Sequence, residues 1–302
     1  MSRLSSRLGA DVWIKRDDLT GFALGGNKGR KLEYLMAEAL QRDADIVVTC
    51  GSVQSNFVRQ LGAACAAFGI RCSAVVMELP FENEPPRGTP LAGEGGNELL
   101  DRLLGVELHR MNNGTWDELY AQADELADRL ESQGRRVYLI PVGGSSPLGA
   151  YAFTRAAIEV QASEEHFDWI VTASSSGSTQ TGLAWGVHGT STRVLGIACD
   201  PEPEIVEDFA RLSSQLDELT GHAKGLRAED FALDSRFVGP GYGVRSDEGK
   251  AAIRLLARTE GIFLDPIYSG KAFAGLLKRI EEGSLTGRVL FWHTGGTPAL
   301  FV

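Results

Sequence analysis

Short apolar runs rich in β-branched residues alternate along this chain with longer stretches whose apolar positions recur at helical spacing. Ile46 to Cys50 predicts a strand, and Ser55 to Phe68 a helix with Val58, Leu61, Cys65 and Phe68 along one side. A run at Ser73 to Met77, a helical stretch near Asn97 to Leu104 and a run at Val106 to Leu108 follow. Trp116 to Ser132 predicts a long amphipathic helix with Leu119, Ala123, Leu126 and Leu130 on one face, and Arg136 to Pro141 another strand. The second half repeats the pattern: strands at Trp169 to Ala173, Val194 to Cys199 and Val289 to Trp292, with helices from about Thr179 and over Ile205 to Leu219, Glu248 to Thr259 and Gly270 to Ile280. Glu78 to Gly96, rich in Pro, Gly and Glu, reads as a long irregular surface or lid segment. Such alternation predicts an α/β, doubly wound fold with parallel sheets and helices on both faces.

A chain of 302 residues suggests about two domains. With 43% hydrophobic and 23% charged residues, disorder is excluded. A formal charge of -10 argues against nucleic acid as a partner, since phosphate backbones need a basic surface. No apolar run approaches a membrane span, and Met1-Ser2-Arg3-Leu4 lacks the apolar core of a signal peptide. Cys50, Cys65, Cys72 and Cys199 show no paired spacing and read as buried free thiols. A cytoplasmic protein without membrane partners is the expectation.

The 36 glycines cluster in loops that follow strands, where doubly wound folds bind ligands. These loops are Gly51 to Asn56, Gly143 to Ser146, Ser174 to Gly182 and Thr294 to Thr297. In Ser174 to Gly182 small residues let backbone N–H groups converge, hydroxyls add donors, and the following helix supplies a positive N-terminal dipole. That combination suits a phosphate monoester, with an ordinary serine-rich turn as the plain alternative. Leu183-Ala184 after Gly182 excludes a triphosphate loop, and the lack of Gly-x-Gly-x-x-Gly argues against a dinucleotide. Five scattered histidines lack metal-ligand spacing, and Gly143 to Pro147 lacks the last glycine of a nucleophile elbow.

Lys28 follows Gly25-Gly26-Asn27 and opens a helix whose apolar face begins at Leu32, a position the helix dipole disfavours for a cation. With Lys15, Arg16, Arg30 and Lys31 nearby, a solvated basic turn is the plain reading. Beside a phosphate cradle, Lys28 could instead form a Schiff base with pyridoxal phosphate.

The chain resembles the D-cysteine desulfhydrase and 1-aminocyclopropane-1-carboxylate deaminase family of fold-type-II pyridoxal-phosphate enzymes. The resemblance runs through Lys15-Arg16-Asp17-Asp18, Gly25-Gly26-Asn27-Lys28, Arg30-Lys31-Leu32-Glu33, Gln54-Ser55-Asn56 and Ile140 to Ser145. It continues through Gly239-Pro240-Gly241-Tyr242-Gly243, Leu264 to Tyr268 and His293-Thr294-Gly295-Gly296. It implies that Lys28 carries the cofactor and that Asn56 sits beside the ring hydroxyl. It also implies that Gln54 and Ser55 face the substrate carboxylate. Ser176, Gly177, Ser178 and Thr179, with Lys31, would hold the phosphate, and Tyr242 and Tyr268 would be the active-site tyrosines. The chain differs from the family in starting later, without a Thr-Pro-Leu arm, in Phe57 where desulfhydrases usually have histidine, and in the 78–96 segment.

The implied fold is two doubly wound, three-layer domains of the tryptophan-synthase-β-like type, with the cofactor between them. Residues 30–133 would form the smaller domain, and 1–29 with 134–302 the larger. A homodimer is implied as well. The implied reaction is α,β-elimination from a small amino acid, most simply D-cysteine. Deamination of the cyclopropane substrate, L-cysteate sulfo-lyase activity and a cofactor-binding sensor without turnover are the alternatives. Ser269 stands where the deaminases carry a glutamate on the pyridine nitrogen. A hydroxyl there would make the ring a weaker electron sink and favour elimination over ring opening. Its plain alternative is a cap on the following helix.

Overall fold

The computed structural model describes residues 1–91, 93, 95–202 and 204–302. In chain order the elements are α1 (Ser2–Leu8), β1 (Asp11–Arg16), α2 (Lys28–Gln41), β2 (Ile46–Ser52), α3 (Asn56–Phe68), β3 (Arg71–Met77), α4 (Gly96–Leu103), β4 (Glu107–Arg110) and α5 (Trp116–Ser132). Then come β5 (Val137–Leu139), α6 (Pro147–Gln161), β6 (Trp169–Ser174), α7 (Ser178–Val187), β7 (Arg193–Ala198) and α8 (Ile205–Thr220). Last are β8 (Ala232–Asp234), α9 (Asp247–Glu260), α10 (Ser269–Glu281) and β9 (Arg288–His293).

The strands form two sheets, ordered β4-β3-β2-β5 and β1-β9-β6-β7-β8, and every pairing is parallel. Successive strand residues point to opposite faces, and each face is covered by helices. In the larger sheet Val171, Ile197 and Phe291 pack with residues of α9 and α10, while Ile170, Val194, Leu290 and Trp292 pack on α6 and α7. In the smaller sheet Val47, Ala74 and Val76 meet α2 and α3, while Val48, Cys50, Val75 and Met77 meet α5. Burial on both faces is why these strands read as continuous apolar runs. The four cysteines are buried free thiols.

Helix starts follow local chemistry. Thr115 and Glu118 form a reciprocal capping box at α5, and Ser55, Ser146 and Ser246 cap α3, α6 and α9. The patterning predicted α5 at its observed bounds. It did not predict α1, β1, α6 or β8. Helix α6 is alanine-rich and buries Ala150, Ala152, Phe153, Ala156, Ala157 and Val160, so it has no polar face long enough to give a one-sided stripe. The smaller sheet takes β5 from beyond residue 133, through its pairing with β2.

Among the described residues, 78–91, 93 and 95 contain no helix or strand beyond isolated bridges at Phe81 and Pro90. The expectation of an irregular segment extends over Ala92 and Glu94, which lie outside the described residues. Arg87 N donates to Pro240 O (3.2 Å) and Leu91 N to Gly243 O (3.0 Å), so the segment clasps the backbone on either side of Tyr242.

Candidate active site

Each sheet reverses its winding direction once. In the smaller sheet the chain runs outward through β2, β3 and β4, then returns to the other side of β2 as β5. In the larger it runs through β6, β7 and β8, then returns beside β6 as β9. The loops leaving the carboxyl ends of β2, β5, β6 and β9 therefore diverge and leave a crevice at each reversal. A single cleft of about 370 Å³ is lined from all four loops, by Ser52, Ser55 and Asn56, by Pro141 to Gly143, by Ser174 to Gly177, and by Thr294.

Lys28 and Lys31, one turn apart on α2, both reach this cleft. Their ammonium nitrogens lie 3.4 and 3.0 Å from one acceptor, the carbonyl of Gly143. Gly143 has φ of 64°, and a Cβ there would lie 2.6 Å from Ser176 Oγ and 3.4 Å from Lys28 Nζ. Only glycine lets this carbonyl approach both amines. Removal from water pulls the Lys28 amine down to about 8, and burial with the neighbouring Lys28 charge holds Lys31 well below the usual lysine range. The surrounding basic cluster is not a solvated turn: Lys31 is buried, and Arg30 grips both oxygens of buried Asp17 at 2.9–3.0 Å while also pairing with Glu159. Asp17 further accepts from Trp292 Nε1 at 2.8 Å, so this motif pins α2 to β9.

Ser176, Gly177 and Thr179 line the cleft at the start of α7. Gly177 has φ of 95°, and a Cβ there would meet the Phe209 ring at 2.5 Å. Thr179 Oγ1 accepts from Asn27 Nδ2 at 3.1 Å, which ties the α7 start to the residue before Lys28. Ser145 Oγ donates to Ser176 O and accepts from Ser178 N (3.2 Å). Ser178 is buried behind the lining, its hydroxyl without a partner among the described residues. Ser174 borders the cleft, its buried hydroxyl likewise unpartnered among the described residues.

Tyr242 and Tyr268 enter the cleft from the loops before α9 and α10, and their hydroxyls are 2.5 Å apart. Ser52 Oγ lies 3.4 Å from Tyr242 OH. Burial pushes Tyr242 up to about 12 and Tyr268 well above the ordinary phenol, so the pair holds its protons at neutral pH. Tyr268 is set by Asp265, whose buried carboxylate accepts from the amides of Ile267, Tyr268 and Ser269 at 2.7–2.8 Å.

Ser269 does not reach the cleft. Its hydroxyl donates to Asp265 Oδ1 (2.6 Å) and accepts from Asp265 N (2.8 Å), fully buried at the first turn of α10. The cap-like alternative describes it better than a cofactor contact, and the hydroxyl residue that lines the cleft after β9 is Thr294.

Ser55 and Asn56 border the cleft, with Ser55 Oγ accepting from Phe57 N and Val58 N at 3.2 and 3.3 Å. Gln54 is turned away. Its Oε1 accepts from Asn97 N (2.8 Å) and its Nε2 donates to Gly95 O (3.2 Å), so it anchors the turn before α4.

Sequence reasoning missed several groups. Asp200, just past β7, borders the cleft and accepts from Ser175 Oγ at 3.0 Å, and burial raises it to about 7. Glu82, Asp117, Glu202 and Asp208 line the same opening, with Arg211. Asp200 follows a strand, which was its only available signal.

The residues fit pyridoxal phosphate. A phosphate needs hydroxyls and main-chain amides clustered at a helix start, met at Ser176, Gly177 and Thr179, and covalent attachment needs an amine with lowered proton affinity, met at Lys28. The family model described as pyridoxal-phosphate dependent enzyme matches residues 1–295. The chain belongs to this family.

This pyridoxal-phosphate enzyme is 42% identical over 315 residues to a D-cysteine desulfhydrase of Yersinia enterocolitica, covering 100% of this chain and 91% of the relative. A crystal structure described as an ACC deaminase homologue superposes with a TM-score of 0.91 at 38% identity, over 100% of this chain and 89% of the other. Threonine deaminase isoform 2 of Solanum lycopersicum shares the fold, with a TM-score of 0.65 at 17% identity over 98% of this chain and 77% of the other. Among the described residues, no helix is long and apolar enough to cross a membrane.

Proposed function

We propose that the enzyme catalyses α,β-elimination of D-cysteine to pyruvate, ammonia and sulfide, with one water consumed. The reading is carried by one juxtaposition: a lysine amine of lowered proton affinity and a pair of protonated, hydrogen-bonded phenols line one cleft. Bound pyridoxal phosphate supplies an electron sink for the substrate carbon that loses its proton. Lys28 Nζ takes that α-proton, and the Tyr242–Tyr268 pair hands a proton to the departing sulfur. Ser55 holds the substrate carboxylate. Asn56 faces the cofactor ring, and Ser176, Gly177 and Thr179 with Lys31 hold the phosphate. Gln54 and Ser178 support these residues from behind.

The choice of D-cysteine over the cyclopropane substrate is supported by the identity to the Yersinia relative, and no longer by Ser269. We further propose two domains, with 30–133 extended through β5 as the smaller, a homodimeric assembly and a cytoplasmic location.

The test is a panel of D-cysteine, L-cysteine, L-cysteate and 1-aminocyclopropane-1-carboxylate, assayed for keto acid and for sulfide or sulfite. Sulfide from D-cysteine is expected, and Lys28→Ala should abolish both turnover and the visible absorbance of lysine-bound cofactor. Ring opening by the wild type with no sulfide from either cysteine would overturn the assignment.

A further inference from the structure

Behind the cleft, α3, α4 and the turn that carries Lys28 meet in a buried polar network. Arg59 and Asn97 are both buried. Arg59 Nη1 donates to Asn97 Oδ1 (2.7 Å) and to Asn56 Oδ1 (3.3 Å), and Nη2 donates to Gly25 O (3.0 Å). Asn97 Nδ2 donates to Gln54 O (2.8 Å) and to Asn56 Oδ1 (3.0 Å). Gln60 Nε2 adds a second bond to Gly25 O at 3.0 Å.

The orientation of every amide here follows from groups that have only one role. Guanidinium donates and never accepts, so Asn97 must turn its oxygen to Arg59. A main-chain carbonyl only accepts, so Asn97 must turn its nitrogen to Gln54 O. Asn56 then faces two donors, Arg59 Nη1 and Asn97 Nδ2, and must turn its oxygen to them. A flipped Asn56 would set its NH₂ group against both.

We propose that Arg59 and Asn97 are positioning residues that lock Asn56 with its amide nitrogen toward the cleft, as a hydrogen-bond donor polarised by a buried guanidinium, and tie it to the Lys28 turn. This rests on the assignment of Asn56 to the cofactor ring. The chain of bonds from Arg59 through Asn56 strengthens the outermost donor. Its preferred acceptor is an anion, so the arrangement selects the ionised form of a ring hydroxyl. Gly25, three residues before Lys28, is held by the same guanidinium, so the ring donor and the attaching lysine share one anchor.

The proposal is tested on apoprotein titrated with pyridoxal phosphate, followed by tryptophan fluorescence and by the pH midpoint of the visible band. Asn56→Asp keeps an acceptor for Arg59 and Asn97 but presents no donor, so it folds and is expected to weaken cofactor affinity about tenfold, the size of a lost hydrogen bond to a charged group. Asn97→Leu and Arg59→Lys should weaken it in the same direction and raise the midpoint. In the Asn56→Asp background, Asn97→Leu should add nothing to the affinity loss, because the donor it positions is already gone. Wild-type affinity in folded Asn97→Leu and Arg59→Lys, or simple additivity in the double variant, would overturn the proposal and leave a packing role. Should Asn97→Leu fail to fold, Asn56→Asp and Arg59→Lys decide the matter. No amino acid is present in these titrations, so the outcome is independent of which substrate is turned over.

Discussion

At the scale of single residues, the chemistry of the site comes from removing one amine from water without giving it a counter-charge. Lys28 meets a carbonyl and a second lysine, and its lowered proton affinity is a desolvation effect. The sign of the pH dependence follows. An unfolded chain keeps the Lys28 proton up to the ordinary lysine range, whereas the folded apoprotein gives it up at about 8. Between those values the unfolded state binds more protons, so apoprotein stability rises with pH across that window, and the burial penalty is complete below it. The neutral amine is also the attaching form. Stopped-flow absorbance should therefore show the rate of cofactor attachment climbing with pH and levelling above about 8. A rate that stays flat from pH 6 to 9 would refute the lowered amine.

At the scale of elements, helix starts do two jobs. Ser55 and Thr115 cap their helices by familiar local bonds. The start of α10 differs, because Asp265 caps three amides two to four residues ahead of it and spends the Ser269 hydroxyl as well. Ser269→Ala should cost about 1–3 kcal/mol in unfolding free energy, since it leaves a buried carboxylate oxygen and the Asp265 amide short of a partner. The visible band of the bound cofactor should stay in place. A displaced band in a stably folded variant would put Ser269 back in contact with the ring.

At the scale of the whole molecule, two winding reversals in two sheets open onto one cleft, and the ligand that fills it touches both. Any ligand confined to the native state stabilises it by mass action, and at a hundredfold excess over its dissociation constant the gain is about 2.7 kcal/mol. Calorimetry of apoprotein and holoprotein should show the transition rising by several degrees with pyridoxal phosphate. The rise should shrink in Lys28→Ala, which loses the covalent attachment. An equal rise in both would mean that Lys28 contributes nothing to holding the cofactor.

The sequence by itself determined the class of fold, because strands buried on both faces must be continuous apolar runs and the helices between them must carry one apolar side. It also marked the loops after β2, β5, β6 and β9 by their small residues, which close backbone approach demands. The Gly-Gly-Asn-Lys turn was legible for the same reason. Helix α6 was not, because most of its positions are buried and its exposed ones mix Arg155 and Glu159 with the apolar Ile158, so no clean polar stripe marks it. Only the tertiary structure decided which neighbours of a motif face the cleft. Gln54, Ser55 and Asn56 are adjacent in the chain, yet Gln54 turns to α4, Ser55 caps α3, and Asn56 is fixed by Arg59 and Asn97. Ser269 follows a site tyrosine and points away from it, while Asp200 belongs to no motif and borders the cleft. The physical reason is that a side chain's direction is set by the partners that satisfy its polar atoms, and the fold decides whether those partners are a few residues away, as Asp265 is from Ser269, or tens of residues away, as Asn97 is from Gln54 and Asn56.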